Sequence, residues 1–144
     1  MTPGSKMINL NTKFGRLVKR RLKDEQEIWL TTLGSDGAPQ PRPVWFWWDG
    51  ETFLIYSQPH AHKVKHIARD PRVVLHFNST NKDGGVVVFH GTAAVDANAP
   101  APSQHRAYFR KYKQAIRDLN MTPKQFDGEY SVPIRVTPTS LRGW

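Results

Sequence analysis

The side chains best suited to chemistry in this sequence lie in one short segment, residues 57–63. Ser57 contributes a hydroxyl group, His62 an imidazole and Lys63 an ammonium group, and Lys65 adds a further positive charge just after them. An apolar run that predicts a strand precedes the segment, and a short basic run that predicts a helix follows it. The first N–H groups of a helix lack internal partners, and the helix dipole favours an anion there. The segment therefore predicts a phosphate site with Lys63 as its main ligand, and His62 and Ser57 as further donors.

Composition limits the kinds of partner. The chain has 144 residues and no cysteine, and its 21 Lys and Arg exceed its 12 Asp and Glu, which gives a formal net charge of +9. This excess indicates either a solvated basic surface or a polyanionic partner, which would be a nucleic acid, an anionic membrane or a multiply charged small molecule. The sequence lacks zinc-finger, helix-turn-helix and RNA-recognition signatures, which disfavours a nucleic acid. His62 and His66 lie four residues apart, but no carboxylate partner or HExxH pattern accompanies them, so no metal is expected.

Length and hydropathy predict one soluble domain. Residues 1–144 are expected to form a single domain, with residues 1–10 flexible. No apolar run is long enough for stable membrane insertion, and residues 1–11 contain no signal-peptide core. A cytoplasmic protein is the expectation.

Alternating and apolar segments predict a mainly β protein with short helices. Hairpin-length turns between several of the strands favour a six-stranded antiparallel barrel that is closed or nearly closed. The predicted strands cover 27–33, 39–48, 52–57, 72–77, 86–95 and 130–136, and the predicted helices cover 12–23, 60–69 and 108–119.

The segment 39–48 combines alternating prolines with a run of aromatic residues. Pro39, Pro41 and Pro43 cannot donate to a β-ladder, and their even spacing leaves only one edge of the strand able to pair fully. The run from Trp45 to Trp48 puts apolar side chains on both faces. One of these faces is therefore predicted to meet another molecule or another subunit.

Several motifs, taken in order, resemble those of the split-barrel flavoproteins related to pyridoxamine 5'-phosphate oxidase. The resemblance also extends to a closing motif, residues 138–144, and is greatest to the actinobacterial flavin/deazaflavin oxidoreductases, family B. It implies an FMN-binding split-barrel fold and a homodimer with cofactor clefts at the subunit interface. The motifs are Arg42-Pro-Val-Trp-Phe-Trp47, Asp49-Gly50, Ser57-(four residues)-His62-Lys63, Asp70-Pro71 and Val73-Val-Leu-His-Phe77.

The resemblance implies a cofactor, which is coenzyme F420 or alternatively FMN. Residues of the aromatic strand would lie along the ring, residues of the turn would hold the phosphate, and Trp144 would cap the cleft. The chain departs from the superfamily pattern at Ala61-His62, which stands where a Ser-Arg pair is usual, and this weakens the case for FMN. The cofactor-binding candidates are Arg42, Pro43, Val44, Trp45, Phe46, Ser57, His62, Lys63, Lys65 and Trp144.

The function that the resemblance implies is hydride transfer from reduced F420 to an electron-poor small molecule such as a quinone, an enone or a bilin. No side chain stands out as a general acid, so no catalytic residue is assigned and the proton is expected from water or substrate. Two alternatives remain open at this point. The protein could be an FMN-binding flavoprotein of the same superfamily, or a non-enzymatic carrier of the cofactor or of a tetrapyrrole.

Overall fold

Residues 8–144 are described by a computed structural model, in which a curled antiparallel sheet is packed with four α-helices. The strands are β1 (Glu27–Leu33), β2 (Pro39–Trp45), β3 (Trp47–Trp48), β4 (Phe53–Ser57), β5 (Arg72–His76), β6 (Val87–Val95) and β7 (Val132–Gly143). The helices are α1 (Lys13–Asp24), α2 (His62–Arg69), α3 (Arg106–Asp118) and α4 (Pro123–Glu129).

All strands of the described chain belong to one sheet in the order β2-β1-β5-β6-β7-β4-β3. The two edge strands, β2 and β3, are consecutive in sequence, and only Phe46 separates them. The sheet must therefore curl until its edges approach each other, which gives an open antiparallel barrel. The predicted class, a mainly β split barrel with short helices, is confirmed.

The predicted number of strands is wrong, since residues 8–144 form seven strands and not six. The segment 39–48 was expected to be one strand, but it breaks at Phe46. The backbone N–H of Phe46 donates to the Tyr112 hydroxyl at 2.9 Å, and the same hydroxyl donates to the Phe46 carbonyl at 2.6 Å. A side chain thus takes both of the backbone groups that a neighbouring strand would otherwise pair, and the strand ends there.

The last strand is longer than predicted. β7 has 12 residues and continues to Gly143, whereas the predicted strand ended at residue 136. It pairs with β6 from Ile134 to Gly143 and with β4 from Val132 to Val136. The hairpin of β3 and β4 is consequently bonded to the rest of the sheet through β7 alone in the described chain.

The β1–β2 pairing confirms the interpretation of the prolines. All seven residues of β2 pair with β1, in a register that sets Pro39, Pro41 and Pro43 opposite Leu33, Thr31 and Trp29. The pairing edge uses the N–H groups of the residues between the prolines, and the outer edge of β2 has no donor at the proline positions.

The buried side chains fall into two clusters. The larger one fills the barrel, and α1 covers it with Val18 and Leu22, which are 0% and 2% exposed. The smaller cluster lies between β4 and the pair α3 and α4, and it contains Leu54, Tyr56, Tyr108, Tyr112, Ile116 and Phe126. This smaller cluster forms one wall of the candidate site.

The helix α4 was not predicted, although its start carries a recognisable signal. Thr122 caps the helix, the Gln125 side chain returns a bond to the Thr122 N–H, and Pro123 occupies the first turn. This reciprocal capping box is a sequence-level mark of a helix start. The helix is short, with seven residues, and buries only Phe126.

The expectation of flexibility over 1–10 falls mostly on residues 1–7, which lie outside the described residues. Leu10 is 8% exposed and packs in the barrel core. Within residues 8–144, none of the helices has the length and hydropathy needed to cross a lipid bilayer.

Candidate functional site

Two adjoining cavities open where β2, β4 and α2 meet. The aromatic cavity has a volume of about 270 Å³ and is walled mainly by Trp45, Tyr56, Tyr108, Phe126 and Tyr130. The basic cavity has a volume of about 530 Å³ and is lined by Arg42, His62, Lys63, His66, Thr32 and Gln40, among others. Pro43 and Lys63 line both cavities, so these two residues form the boundary between them.

The walls of the aromatic cavity are held by ring stacking. The ring of Trp45 lies parallel to that of Tyr112 with centroids 4.9 Å apart, and it lies 5.7 Å from Phe126. Phe126 stacks in turn on Tyr130 at 4.4 Å. Stacked rings are rigid and present flat apolar faces. This cavity therefore suits a planar ligand.

The basic cavity concentrates positive charge. Arg42, His62 and Lys63 line it, and none of these side chains takes part in an ion pair within residues 8–144. Burial, together with the nearby Arg42, lowers the pKa of Lys63 from its ordinary value. An anion in the cavity would relieve this repulsion and would replace the water lost by burial.

His66 lies at the back of the basic cavity. Its Nδ1 is 2.8 Å from Oγ1 of Thr32, a hydroxyl-bearing residue that is only 2% exposed. Burial is the main cause that lowers the pKa of His66, and the nearby guanidinium groups of Arg69 and Arg42 lower it further. The imidazole is therefore neutral near pH 7 and hydrogen-bonded to a buried hydroxyl.

The start of α2 leaves backbone donors free. Ala61 is the N-cap and has an extended backbone, but its methyl group provides no capping hydrogen bond. Within the described chain, the N–H groups of His62 and Lys63 donate to no carbonyl or side chain. Unpaired N–H groups at a helix start are donors for an anion.

Most of the predicted cofactor residues line these cavities. Pro43, Val44, Trp45, Ser57 and Lys63 line the aromatic cavity. Arg42 and His62 line the basic cavity together with Pro43 and Lys63. The turn and the aromatic strand are thus brought together as expected.

Ser57 and His62 do not converge on one point. Ser57 is 1% exposed and faces the aromatic cavity, where its hydroxyl donates to the Gln58 carbonyl at 3.0 Å. His62 lines the basic cavity instead. Of the three donors predicted for the phosphate, only Lys63 lines both cavities.

Three predicted residues line neither cavity. Phe46 is completely buried and packs on Phe53 and Phe77 in the barrel core, because the strand break turns its side chain inward. Lys65 is exposed, since residues two apart on a helix do not share a face and Lys63 already occupies the cavity side. Trp144 is 78% exposed, and its backbone pairs with Val86 beside the start of β6.

The aromatic wall was missed at the sequence level. The predicted helix over 108–119 contains Tyr108 and Tyr112, which are buried on α3, but helical spacing gives no sign of what these rings contact. Tyr56 and Tyr130 reach the same cavity from segments that are far apart in sequence. Only the packing of α3 and α4 against β4 brings these rings together.

Much of the excess positive charge lies on the outer faces of two helices. The exposed cations of α1 are Lys13, Arg16, Lys19, Arg20 and Lys23, and those of α3 are Arg106, Arg110, Lys113 and Arg117. The net charge is therefore spread well beyond the basic cavity.

The start of α3 makes the stability of this wall sensitive to pH. His105 is the N-cap, and its Nδ1 accepts a hydrogen bond from the Tyr108 N–H at 3.0 Å. Burial, with a contribution from Arg135, lowers the pKa of His105 below the ordinary value of 6.5. A lowered histidine pKa means that the folded state favours the neutral imidazole. The stability from this cap is then complete above pH 6.5 and is lost as the pH falls through the folded-state pKa.

We expect protonation of His105 to reduce the free energy of unfolding by about 1 kcal/mol, the usual value of an N-cap. Urea denaturation at pH 7.5 and pH 5 would measure this loss in the wild type and in His105→Ser, whose cap does not titrate. Relative to the wild type, the serine variant should have a higher free energy of unfolding at pH 5 than at pH 7.5. If the difference in the free energy of unfolding between the two proteins does not change with pH, the role of His105 as a titrating cap is contradicted.

Comparisons with known proteins agree with this architecture. A family model described as pyridoxamine 5'-phosphate oxidase matches residues 15–144. No curated protein matches the chain with significance. Many solved structures share the fold, and three of them show its range.

An F420 reductase superposes with a TM-score of 0.65 at 21% identity, over 86% of this chain and 94% of that chain. A putative pyridoxamine 5'-phosphate oxidase from Listeria innocua gives a TM-score of 0.60 at 20% identity, over 87% of this chain and 93% of its own. The heme storage protein HutZ of Vibrio cholerae gives 0.58 at 10% identity, over 88% and 91%. At these identities the likeness establishes the fold alone.

Proposed function

The chain belongs to the pyridoxamine 5'-phosphate oxidase family, and on that premise we propose that it is an F420-dependent oxidoreductase. It would pass a hydride from the reduced deazaflavin to an electron-poor small molecule such as a quinone, an enone or a bilin. The observation that carries the proposal is the junction of a cationic cavity with an aromatic one at Pro43 and Lys63. An F420 reductase among the proteins that share the fold is consistent with it.

The residues present fit the chemistry of this cofactor. F420 joins a planar tricycle to a chain that carries a phosphodiester and a glutamate tail. Arg42 and Lys63 would supply cationic donors for the phosphodiester in the basic cavity, and the His62 ring and the free N–H groups of α2 would add to them. The ring is assigned to the boundary along Pro43, Val44 and Trp45. FMN carries a phosphate monoester, and for that group the chain lacks the usual hydroxyl and guanidinium at positions 61 and 62.

The cofactor supplies the hydride chemistry when bound, and the protein supplies position and environment. Trp45 and Phe126, whose rings stack on each other, line the aromatic cavity with apolar surface that would shield a bound ring from water. Lys63, which lines both cavities, would hold the anionic end of the ligand and so help to orient it. Such fixing of two reactants in one geometry is a large part of the rate gain in enzymes.

We further propose that the protein is a homodimer with the cofactor cleft at the subunit interface. Arg42 and Pro43 are exposed although they line the basic cavity, so this side of the cavity is open in one protomer. A second protomer would cover it. Sedimentation velocity should give twice the mass of one chain, and a monomer at micromolar concentration would contradict the proposal.

A side-by-side titration with F420 and FMN tests the cofactor assignment. We expect F420 to bind at least tenfold more tightly than FMN, and reduced F420 to be consumed when menadione is added. Tighter binding of FMN would replace the proposal with the FMN-dependent alternative. Tight F420 binding without turnover of quinones, enones or bilins would instead indicate a carrier.

Substitution of Ala61 tests the anion site at the start of α2. Asp or Asn at this N-cap should stabilise the helix by about 0.5–2 kcal/mol, because either side chain can cap the free N–H groups. Ala61→Asp should also weaken F420 binding by at least tenfold, because its carboxylate would occupy and repel the anion position.

Ala61→Asn is the matched control, since it has nearly the same shape and no charge. Thermal unfolding would measure the stabilisation of both variants, and fluorescence titration would measure their affinity for F420. Equal affinities of the Asp and Asn variants for F420 would contradict an anion site at this helix start.

A further inference from the structure

Tyr108 has a buried side chain whose hydroxyl has no partner in the described chain. The residue is 1% exposed and lines the aromatic cavity. Its backbone N–H donates to His105, but no atom of residues 8–144 forms a hydrogen bond with its hydroxyl. The neighbouring tyrosines differ, since Tyr56 donates to the Pro100 carbonyl at 2.6 Å and Tyr112 donates to the Phe46 carbonyl at 2.6 Å.

An unpaired hydroxyl in a buried position is costly, so its placement carries information. A polar group that loses water without gaining a partner costs about 1–3 kcal/mol. Every fully buried side-chain polar atom of residues 8–144 has a partner, so the Tyr108 hydroxyl must keep contact with the space inside the aromatic cavity. A ligand in that space would have this donor in front of it.

The ring of Tyr108 is fixed in position. It packs edge-on against Tyr56 with centroids 4.8 Å apart and lies 4.7 Å from the ring of Tyr112. α3 holds its backbone through the His105 cap. Burial raises the pKa of the phenol well above its ordinary value, so the group remains an O–H donor over the whole neutral range.

We propose that the Tyr108 hydroxyl is the hydrogen-bond donor that receives the carbonyl oxygen of a planar, one- or two-ring acceptor in the aromatic cavity. The size limit comes from the volume of about 270 Å³, because a cavity of about 150 Å³ already accepts benzene. This inference rests on the proposed function for the identity of the acceptor as the molecule that is reduced.

The same contact gives Tyr108 a role in the reaction. A hydride that adds to a carbon conjugated with the carbonyl brings two electrons, and one electron pair moves onto the carbonyl oxygen. The O–H of Tyr108 stabilises the negative charge that develops there, and a proton from water completes the reduction. Tyr108 is thus a donor to the reacting oxygen, while Trp45 and Phe126 line the cavity that would receive the acceptor.

A pair of ligands separates the contribution of the Tyr108 hydrogen bond to the affinity from the contribution of apolar contact. Menadione and 2-methylnaphthalene have the same two-ring shape, but only menadione carries carbonyl oxygens. Equilibrium dialysis with the full chain, without cofactor, would measure the affinity of each ligand. We expect the wild type to bind menadione more tightly than 2-methylnaphthalene. Tyr108→Phe should bind menadione about three- to tenfold more weakly than the wild type does, with an unchanged affinity for 2-methylnaphthalene.

Tyr56→Phe is the matched control, because Tyr56 lines the same cavity but already donates its hydroxyl to Pro100. It should keep the preference for menadione. An equal preference in the wild type and in Tyr108→Phe, or no binding of menadione at all, would overturn the proposal. The test needs neither cofactor nor turnover. If the protein binds menadione through Tyr108 but does not use F420, the result would contradict the proposed function and leave the proposed hydrogen bond intact.

Discussion

Replacement of Lys63 by alanine is expected to weaken F420 binding by about 10- to 150-fold, which corresponds to about 1.5–3 kcal/mol for a charge-assisted hydrogen bond. Lys63 is the only cation of residues 8–144 that lines both the aromatic and the basic cavity. Burial already lowers its pKa, so its ammonium group is poorly hydrated and gains most from an anionic partner. Titration of the intrinsic fluorescence of F420 would measure the change.

Lys65→Ala is the control for net charge. Lys65 belongs to the same helix but is exposed and lines neither cavity, so its loss should change affinity by less than about twofold through long-range attraction alone. Equal losses in the two variants would show that α2 acts only through its total charge. An unchanged affinity in Lys63→Ala would remove this lysine from the site.

The second large effect is expected in stability. Tyr112→Phe should lower the free energy of unfolding by about 2–5 kcal/mol, because several buried backbone groups would lose their partner. The Tyr112 hydroxyl accepts from the Phe46 N–H and lies 2.6 Å and 2.7 Å from the carbonyls of Phe46 and Gln26. Lys111 also reaches the Phe46 carbonyl, but at 3.4 Å, and cannot replace the lost hydroxyl as an acceptor.

Tyr108→Phe removes a hydroxyl from the same helix one turn earlier and serves as the control. Because that hydroxyl has no partner in the described chain, its loss should change stability by less than about 0.5 kcal/mol. Urea denaturation followed by tryptophan fluorescence would measure both variants. Similar stabilities for the two would mean that the Tyr112 bonds do not hold the break between β2 and β3.

Much of the sheet could be predicted because its signals are local. Alternating burial in β1 and the Asp-Gly turn before β4 are encoded within a few residues, and Gly50 has the positive φ of 103° that such a turn requires. The break at Phe46 could not be predicted in this way. Trp45 to Trp48 is a continuous apolar run that favours an unbroken strand, and the group that interrupts it comes from Tyr112, 66 residues further on.

The candidate site divides along the same line. The candidate anion site could be proposed from the sequence because Lys63 and His62 follow a strand and begin a helix, which is a local pattern. The aromatic wall depends on α3 and α4 folding back over β4, and no spacing within α3 shows which side of Tyr108 will face open space. Lys65 and Trp144 were included among the candidates because of proximity in sequence and family likeness. Neither argument determines the direction in which a side chain points.

The position of β7 between β6 and β4 has a consequence for folding during translation. The barrel cannot close until residues 132–143 have emerged, because the β3–β4 hairpin has no other strand with which to pair in the described chain. Until then the growing polypeptide would carry an unfinished sheet with two exposed margins, a species prone to stick to its neighbours. Completion of the sheet thus waits for β7, which follows all the other strands along the described chain and bonds to both β6 and β4.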